Sequence, residues 1–431
     1  QYFIKKYLMQ PPTIANKIKA KIFTKFHLGS SDLFNEEGWD KLIALGYYPI
    51  SIKAAPEGTV VNTQNVLMTI ENTHPDFYWL TNWIETLGVQ LWYPCTVAAQ
   101  SRYMKRILQS ALEKSGDPRL IDFKLHDFGY RGSTSDESAG IGAAAHLLNF
   151  RGTDTIAGID LLNKYYTPDY PGDNCTNEKI WEDYYEKWMP GFSIPASEHS
   201  TITSWGQENE LAAMGNMLTQ FPSGLVACVS DSYDIFRACE IYWGNFLHDQ
   251  IMERDGCLVI RPDSSSDEYP ITTLLPKLLD ILGERFGYTL NAKGYKVLDP
   301  HVRMLQGDGV DKDSLSSMLN AIMNSGWSAD NIAFGSGGGL LQKVNRDTCK
   351  FAFKCSSISQ GGLYKDVFKL PITDSGKNSK RGRFALGYTG VENNYITIPD
   401  ENYKHNILQP VFLNGRLLIN ENYKTIRKRI N

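Results

Sequence analysis

The middle of the chain repeats one pattern. A short apolar run ends in a polar or glycine-rich cluster, and a helical stripe follows. Residues 225–229 lead into Ser230-Asp231-Ser232 and a helix through Ile235, Ala238 and Tyr242. Residues 258–260 lead into Arg261-Pro262-Asp263-Ser264, and 302–305 into Gln306-Gly307-Asp308-Gly309. Residues 332–334 lead into Gly335-Ser336-Gly337-Gly338-Gly339, then Leu340 and Leu341. Leu315, Met318, Leu319, Ile322 and Met323 fall at i, i+3, i+4, i+7 and i+8, one face of a helix. Repeated strand–polar end–helix units predict a parallel α/β barrel, whose strand C-terminal ends gather on the face that carries chemistry.

Outside that stretch the pattern changes. Residues 50–52 and 66–70 read as strands flanking a turn at Pro56-Glu57-Gly58. Residues 78–92 read as one helix rich in aromatics (Tyr78, Trp79, Trp83, Trp92), a face suited to a core or a subunit interface. The chain opens on an amphipathic pattern (Tyr2, Phe3, Tyr7, Leu8) without an initiator Met, so an earlier natural start is expected. The predicted organisation is a barrel over 116–354 and a second α/β domain built from 1–115 and 355–431.

Composition narrows the class. At 431 residues, 42% hydrophobic and 21% charged, the chain matches a globular protein of about two domains. A formal charge of −4 without a basic block argues against nucleic acid as the main partner. Seven scattered cysteines, without a C-x-x-C pair, point to a reducing, cytoplasmic setting and no structural metal. No apolar run has the length to cross a bilayer, and no signal-peptide design opens the chain, so no membrane partner is expected.

Several chemical motifs are excluded. There is no P-loop, no kinase set around Asp127-Phe128-Gly129, and no G-x-S-x-G elbow. Leu340 stands where a dinucleotide fingerprint needs its third glycine. What remains is a set suited to a flat ring and phosphates. In His126-Asp127-Phe128-Gly129-Tyr130-Arg131-Gly132, Phe128 can stack a heteroaromatic ring and Arg131 can fork onto phosphate. Thr134 and Glu137 have capping-box spacing before a helix through the small-residue run 139–145. Arg261 suits an anion, and Asp263 and Asp308 suit ribose hydroxyls or a phosphate-bound Mg²⁺. Gly337 and Gly338 leave room for backbone N–H groups to approach phosphate. His199, beside Glu198 and ahead of a helix expected from about Ser204, can act as a charge switch or a nucleophile toward phosphorus. Asp154, if it lines a ring pocket, accepts from a carboxamide and repels a carboxylate. The basic segment 374–383 reads as a solvated loop or a phosphate-closing flap.

These strings, in this order, resemble the nicotinamide phosphoribosyltransferase family of type II phosphoribosyltransferases. The resemblance rests on residues 124–132, 152–158, 198–203, 229–234, 260–264, 306–311 and 332–343, with Tyr78-Trp79-Leu80-Thr81-Asn82-Trp83 upstream. It implies a homodimer with shared active sites and transfer of phosphoribosyl from phosphoribosyl pyrophosphate to nicotinamide. Phe128 would stack the pyridine, Asp154 would take the carboxamide, and Arg131 and Arg261 would border base and phosphates. Asp263, Gly307, Asp308, Gly337, Gly338 and Arg346 would hold the phosphoribose. Lys354, Lys369 and Lys377 would reach toward phosphate. ATP would phosphorylate His199, and Mg²⁺ would be held mainly by pyrophosphate, with Asp263 and Asp308 as possible ligands. The family's N-terminal Thr-Asp-Ser-Tyr segment is absent, Ala227 replaces a serine that supports the carboxamide, and Ser265 replaces a glycine. The alternatives are a nicotinate-specific sister enzyme or a non-catalytic protein on the same fold.

Overall fold

The computed structural model describes residues 1–430, without the side chain of Ser375. It divides into two compact units: Gln1–Tyr93, Leu162–Cys175 and the chain from Arg346 onward form one, and Pro94–Leu161 with Thr176–Asn345 form the other. The second therefore includes residues 94–115 and omits 162–175 and 346–354 of the span expected for the barrel.

The first unit opens with two capped helices. In α1 (Ile14–Leu28) the Thr13 hydroxyl accepts from Asn16 N–H, Asn16 Oδ1 accepts from Thr13 N–H, and Gly29 closes the end at φ 87°. Asn35 caps α2 (Glu36–Leu45) through Gly38 N–H. Strands β1 (Ile50–Ala54) and β2 (Met68–Asn72) pair antiparallel, and Leu80 and Ile84 of α3 (Leu80–Val89) pack with Ile50, Ile52 and Phe412 in one core. The single helix expected over 78–92 is broken, with α4 (Trp92–Ser115) starting afresh. Pro94 explains the break. It suits the first turn of a new helix, whereas inside a continuous one it would meet the carbonyl four residues back.

The second unit carries the parallel strands β3 (Leu125–Asp127), β4 (Gly152–Thr153), β5 (Ser223–Val229) and β6 (Asp255–Arg261). A hairpin of β7 (Tyr288–Leu290) and β8 (Lys296–Leu298) separates these from β9 (Val302–Gln306) and β10 (Ile332–Ser336). The parallel order is β4-β3-β10-β9-β6-β5. An extended segment closes the ring. Phe192 bridges to Gly152 of β4, and Ala196 bridges to Ala227 of β5. Four backbone bonds of 2.7–3.0 Å hold it: Phe192 to Arg151, Thr153 to Phe192, Ala227 to Pro195 and Ser197 to Ala227. The fold of this unit is the α/β barrel that the repeated strand–helix units predict. Ala227, Cys257, Val259 and Leu305 cluster with Phe128, Ile194 and Ala333, one set drawn from staves around the ring.

Between the strands run α5 (Asp136–His146), α6 (Ile156–Tyr166), α7 (Glu178–Trp188), α8 (His199–Thr203) and α9 (Glu210–Gln220). After β5 come α10 (Ile235–Arg237), which continues as a π-helix over Ala238–Phe246, and α11 (His248–Met252). Helix α12 (Ile271–Phe286) follows β6, α13 (Leu315–Asn324) follows β9, and α14 (Gly338–Leu341) follows β10. The expected stripe of α13 is buried throughout. The α5 cap lies one residue later than its spacing suggested. Ser135 and Ser138 form the box, because the chain is already helical at Glu137. The helix expected from Ser204 is replaced by α8, which starts at His199 itself, and then α9.

The first unit resumes with hairpins β11–β12 (Ser357–Gln360, Leu363–Asp366) and β13–β14 (Ala385–Tyr388, Tyr395–Ile398). Strand β15 (Gln409–Leu413) pairs with β1 and with β16 (Arg416–Leu417), giving a four-stranded sheet β16-β15-β1-β2 from both ends of the chain, and α15 (Tyr423–Ile430) follows.

The small-residue run in α5 has a packing cause. A Cβ on Gly158 of α6 would lie 2.4 Å from Ala143 Cβ and 3.0 Å from Ala144 N, so the two helices meet backbone to backbone. Gly158→Ala should therefore cost about 1–3 kcal/mol despite the better helix propensity of alanine. A lowered urea midpoint checks this, and an unchanged or raised midpoint would show that the contact relaxes freely.

Candidate functional site

The polar strand ends named from the sequence come together at the C-terminal mouth of the barrel. Asp127 at the end of β3 is fully buried, and its carboxylate accepts from Gly129 N–H (2.7 Å) and the Thr153 hydroxyl (3.1 Å). Burial pushes its carboxyl above the usual range despite those bonds. These contacts fix the loop that presents Phe128, whose N–H donates to Ser336 carbonyl at 3.0 Å. The Phe128 ring lies 5.3 Å from the Arg261 guanidinium and tilts against His126 at 4.9 Å between centroids. Gly335 makes room for it, since a Cβ there would lie 2.0 Å from the ring.

Asp154 follows β4 and is reached by two donors. His126 Nε2 lies 2.8 Å from its Oδ1, and the Ser193 hydroxyl donates to the same oxygen. Oδ2 is left as the open acceptor. Burial works to raise this carboxyl, but the His126 and Ser193 bonds and the Arg261 charge outweigh it and hold it below its usual range. A cavity of about 560 Å³ opens beside it, lined by Thr153, Asp154, Ile156, Tyr185, Phe192 and Ser193 among others. Neither His126 nor Ser193 was assigned a role from sequence. The only sequence signal for His126 is its place in the 124–132 string, and Ser193 offered none.

Arg261 ends β6. It donates to Ser197 carbonyl and to Asp263 Oδ2, each at 3.1 Å, while its buried Nε has no protein partner. Gly307 is where β9 meets this pair, because a Cβ there would lie 2.3 Å from Asp263 Oδ1. Asp308 follows it, exposed. Gly337 and the exposed Gly338 follow β10, but the helix they open is a single turn. Arg131 is exposed on the turn Tyr130–Gly132. Ala227 is buried in the cluster that meets Phe128, and Ser265 lies on an exposed loop.

His199 is the first residue of α8, half exposed, with Nε2 at 3.0 Å from Asp231 Oδ1. Its partner is thus Asp231 from the β5 end, not the adjacent Glu198, which accepts from Ser200 instead. Glu210 is buried near Asp231, with no protein partner for Oε1.

Arg346, Lys354, Lys369 and Lys377 belong to the other unit, where all four are exposed. Arg346 pairs with Asp347 at 3.0 Å, Lys354 stands 3.8 Å from Glu85, and Lys377 stands 3.3 Å from Asp374. In the basic segment, Arg383 bonds Glu71 at 2.8 Å and Glu401 at 2.5 Å, and Arg381 covers the Phe368 ring. Among the described residues no three His, Cys, Asp or Glu side chains stand together as a metal site.

Comparison with known proteins follows the same lines. The family model described as "Nicotinate phosphoribosyltransferase (NAPRTase) family" matches residues 123–416. A curated nicotinamide phosphoribosyltransferase of Xanthomonas campestris pv. campestris is 47% identical over 393 residues, spanning 90% of this chain and 78% of that protein. One from Acinetobacter baylyi is 30% identical over 441 residues, spanning 97% and 82%. The crystal structure of human nicotinic acid phosphoribosyltransferase aligns with 98% of this chain and 85% of its own at 14% identity and TM-score 0.46.

Glu210 yields a pH prediction. Burial raises its carboxyl from the usual 4.5 to about 7, with Asp234 and Asp231 adding to the shift and Arg237 opposing it. Between those values the folded chain keeps a proton that the unfolded chain has lost. Its contribution to stability is therefore present below 4.5 and is lost as pH rises through about 7. Glu210→Gln should flatten that fall, read as urea midpoints at about pH 5 and about pH 8. A variant that loses stability over this range as steeply as the parent would remove Glu210 as the cause.

Proposed function

We infer the reaction from one premise: the chain belongs to the nicotinate phosphoribosyltransferase family. It transfers the phosphoribosyl group of phosphoribosyl pyrophosphate to nicotinamide, giving nicotinamide mononucleotide and pyrophosphate. The observation that supports amide over acid is the ionised Asp154, whose Oδ1 is saturated by His126 and Ser193 and whose Oδ2 remains to accept a carboxamide N–H. A nicotinate carboxylate would meet that oxygen as a like charge.

Phe128 stacks the pyridine, and Arg131 and Arg261 border base and phosphates. The pyridine nitrogen attacks the anomeric carbon with its own lone pair. The bond to the pyrophosphate oxygen breaks, and its electrons leave on pyrophosphate, so no strong base is required. The chain's task is positioning and charge neutralisation. Asp263 and Asp308 hold the ribose, and Gly307, Gly337 and Gly338 leave room at the phosphates, with Arg346, Lys354, Lys369 and Lys377 supplying further positive charge across a homodimer. The donor set fits a Mg²⁺ held chiefly by pyrophosphate, since Asp263 and Asp308 offer two hard oxygen ligands and no cage; the ion would neutralise the leaving group. His199 couples the reaction to ATP. With Nε2–H directed at Asp231, Nδ1 keeps the lone pair that attacks the γ-phosphorus and releases ADP.

Purified protein supplied with phosphoribosyl pyrophosphate and Mg²⁺ should form mononucleotide from nicotinamide and not from nicotinate, and ATP should increase the yield. Product from nicotinate alone would reassign the substrate. Asp154→Ala should raise the nicotinamide KM about tenfold to a hundredfold, the loss of a charged hydrogen bond. An unchanged KM would remove its role. Gly335→Ala, by displacing the Phe128 ring, should raise the same KM with little change for phosphoribosyl pyrophosphate. Labelled γ-phosphate should appear as an acid-labile adduct that His199→Ala abolishes, and label persisting in that variant would rule out the phosphohistidine.

A further inference from the structure

Helix α1 is turned inside out relative to an ordinary surface helix. Its half-buried positions are Lys17, Ala20, Lys21 and Thr24, at i, i+3, i+4 and i+7. They form the face toward α2, where Lys17 meets Asp40 at 2.6 Å and Glu36 at 3.3 Å, and Lys21 meets Glu36 at 2.6 Å. None of the helix is fully buried. Ile14, Ile18, Ile22 and Phe26 recur every fourth residue along the outward arc and are 65, 57, 51 and 80% exposed, with Phe23 beside them at 63%. A helix on a globular body normally turns its apolar stripe inward. Here the ion pairs face inward, and a contiguous apolar ridge is left for another surface.

Charge indicates which surface. Every ionisable side chain of α1 is basic: Lys17, Lys19, Lys21, Lys25 and His27. Lys17 and Lys21 are paired with the α2 carboxylates, and at 100° per residue the other two lysines fall within the apolar arc, Lys25 between the Ile14 and Ile18 lines and Lys19 between the Phe26 and Phe23 lines. A second copy is a poor match. Pairing α1 with itself opposes lysine to lysine, and the stripe of a single 15-residue helix falls well short of the roughly 800 Å² per partner that a stable dimer buries. A convex ridge of isoleucine and phenylalanine interleaved with Lys19 and Lys25 instead suits a bilayer with anionic headgroups. The apolar side chains enter the acyl boundary, and the lysine stems extend to the phosphates. Crossing is a separate matter: among the described residues no helix is long and apolar enough to span a membrane.

We propose that α1 docks this protein in plane on an anionic lipid surface. The test is co-sedimentation of the full chain with phosphatidylcholine vesicles, with and without phosphatidylserine. Binding is expected with phosphatidylserine and should fall about tenfold or more without it or at high salt. Ile18→Ser/Ile22→Ser should abolish binding while leaving the thermal midpoint and the solution oligomeric mass unchanged. Lys19→Glu/Lys25→Glu should weaken it about tenfold or more. Equal sedimentation with both vesicle types, or undiminished binding by the serine variant, would overturn the proposal. So would a wild type that ignores vesicles and a serine variant of lower oligomeric mass, which would assign the ridge to a contact between copies.

Discussion

Closure of the barrel by residues 192–197 is the constraint from which the site follows. The six parallel strands leave β4 and β5 as open edges, and unpaired edges are costly when buried. The segment Phe192-Ser193-Ile194-Pro195-Ala196-Ser197 satisfies both, bonding to β4 through Phe192 and to β5 through Pro195 and Ser197. Its proline is tolerated because Pro195 contributes only its carbonyl, which accepts from Ala227 N–H, and no N–H is required of it. Three consequences come from this one stave. Ser193 is delivered to Asp154, the Ser197 carbonyl receives Arg261, and two residues later His199 emerges opposite Asp231. The Asp154 carboxylate, the Arg261 guanidinium and His199 are thus indexed to the same short run of chain.

The environment then separates chemically similar side chains into different tasks. Asp127, Asp154 and Glu210 are all carboxylic acids within one barrel. Asp127 and Glu210 are pushed up by burial, whereas Asp154 is held down by His126, Ser193 and Arg261. A carboxylate held ionised stays available as an acceptor, and an acid buried in the wall does not. Asp127 also has donors, from Gly129 and Thr153, but its complete burial outweighs them, so the direction of each shift follows from the balance of burial against donors and nearby positive charge.

The same distinction marks what could be read in the sequence. Apolar runs and helical stripes are local, and the strands at 223–229, 255–261, 302–306 and 332–336 and the buried face of α13 follow from them directly. The residue types at the strand ends were legible too, because a parallel barrel fixes where strand ends go. Partners were not. His126 and Asp154 are 28 residues apart, His199 and Asp231 are 32 apart, and Ser193 and Asp154 are 39 apart, and nothing along the chain signals those pairings. The closing stave was invisible for a related reason. Its apolar positions do alternate, at Phe192, Ile194 and Ala196, but Pro195 interrupts the run, and its pairing is supplied by edges already built elsewhere. The ridge of α1 was missed because a basic helix with every fourth residue apolar reads as amphipathic in either orientation, and only burial shows which face is outward.

Glycine at these strand ends shows most clearly how a one-dimensional reading and a three-dimensional one diverge. A strand–Gly–helix junction invites the inference that the glycine admits a phosphate. Here several of the glycines are already occupied by the protein itself. The space at Gly335 holds the Phe128 ring, that at Gly307 holds Asp263, and that at Gly152 holds His126, each with a would-be Cβ within 2.6 Å of the neighbouring side chain. Among the glycines that follow β9 and β10, Gly309 and Gly338 have nothing within 4 Å. The missing side chains therefore serve mainly to let one functional side chain lie flat across the strand that carries another. That is how an aromatic ring, an arginine–aspartate pair and a histidine–aspartate pair can share the mouth of one small barrel without separating its staves.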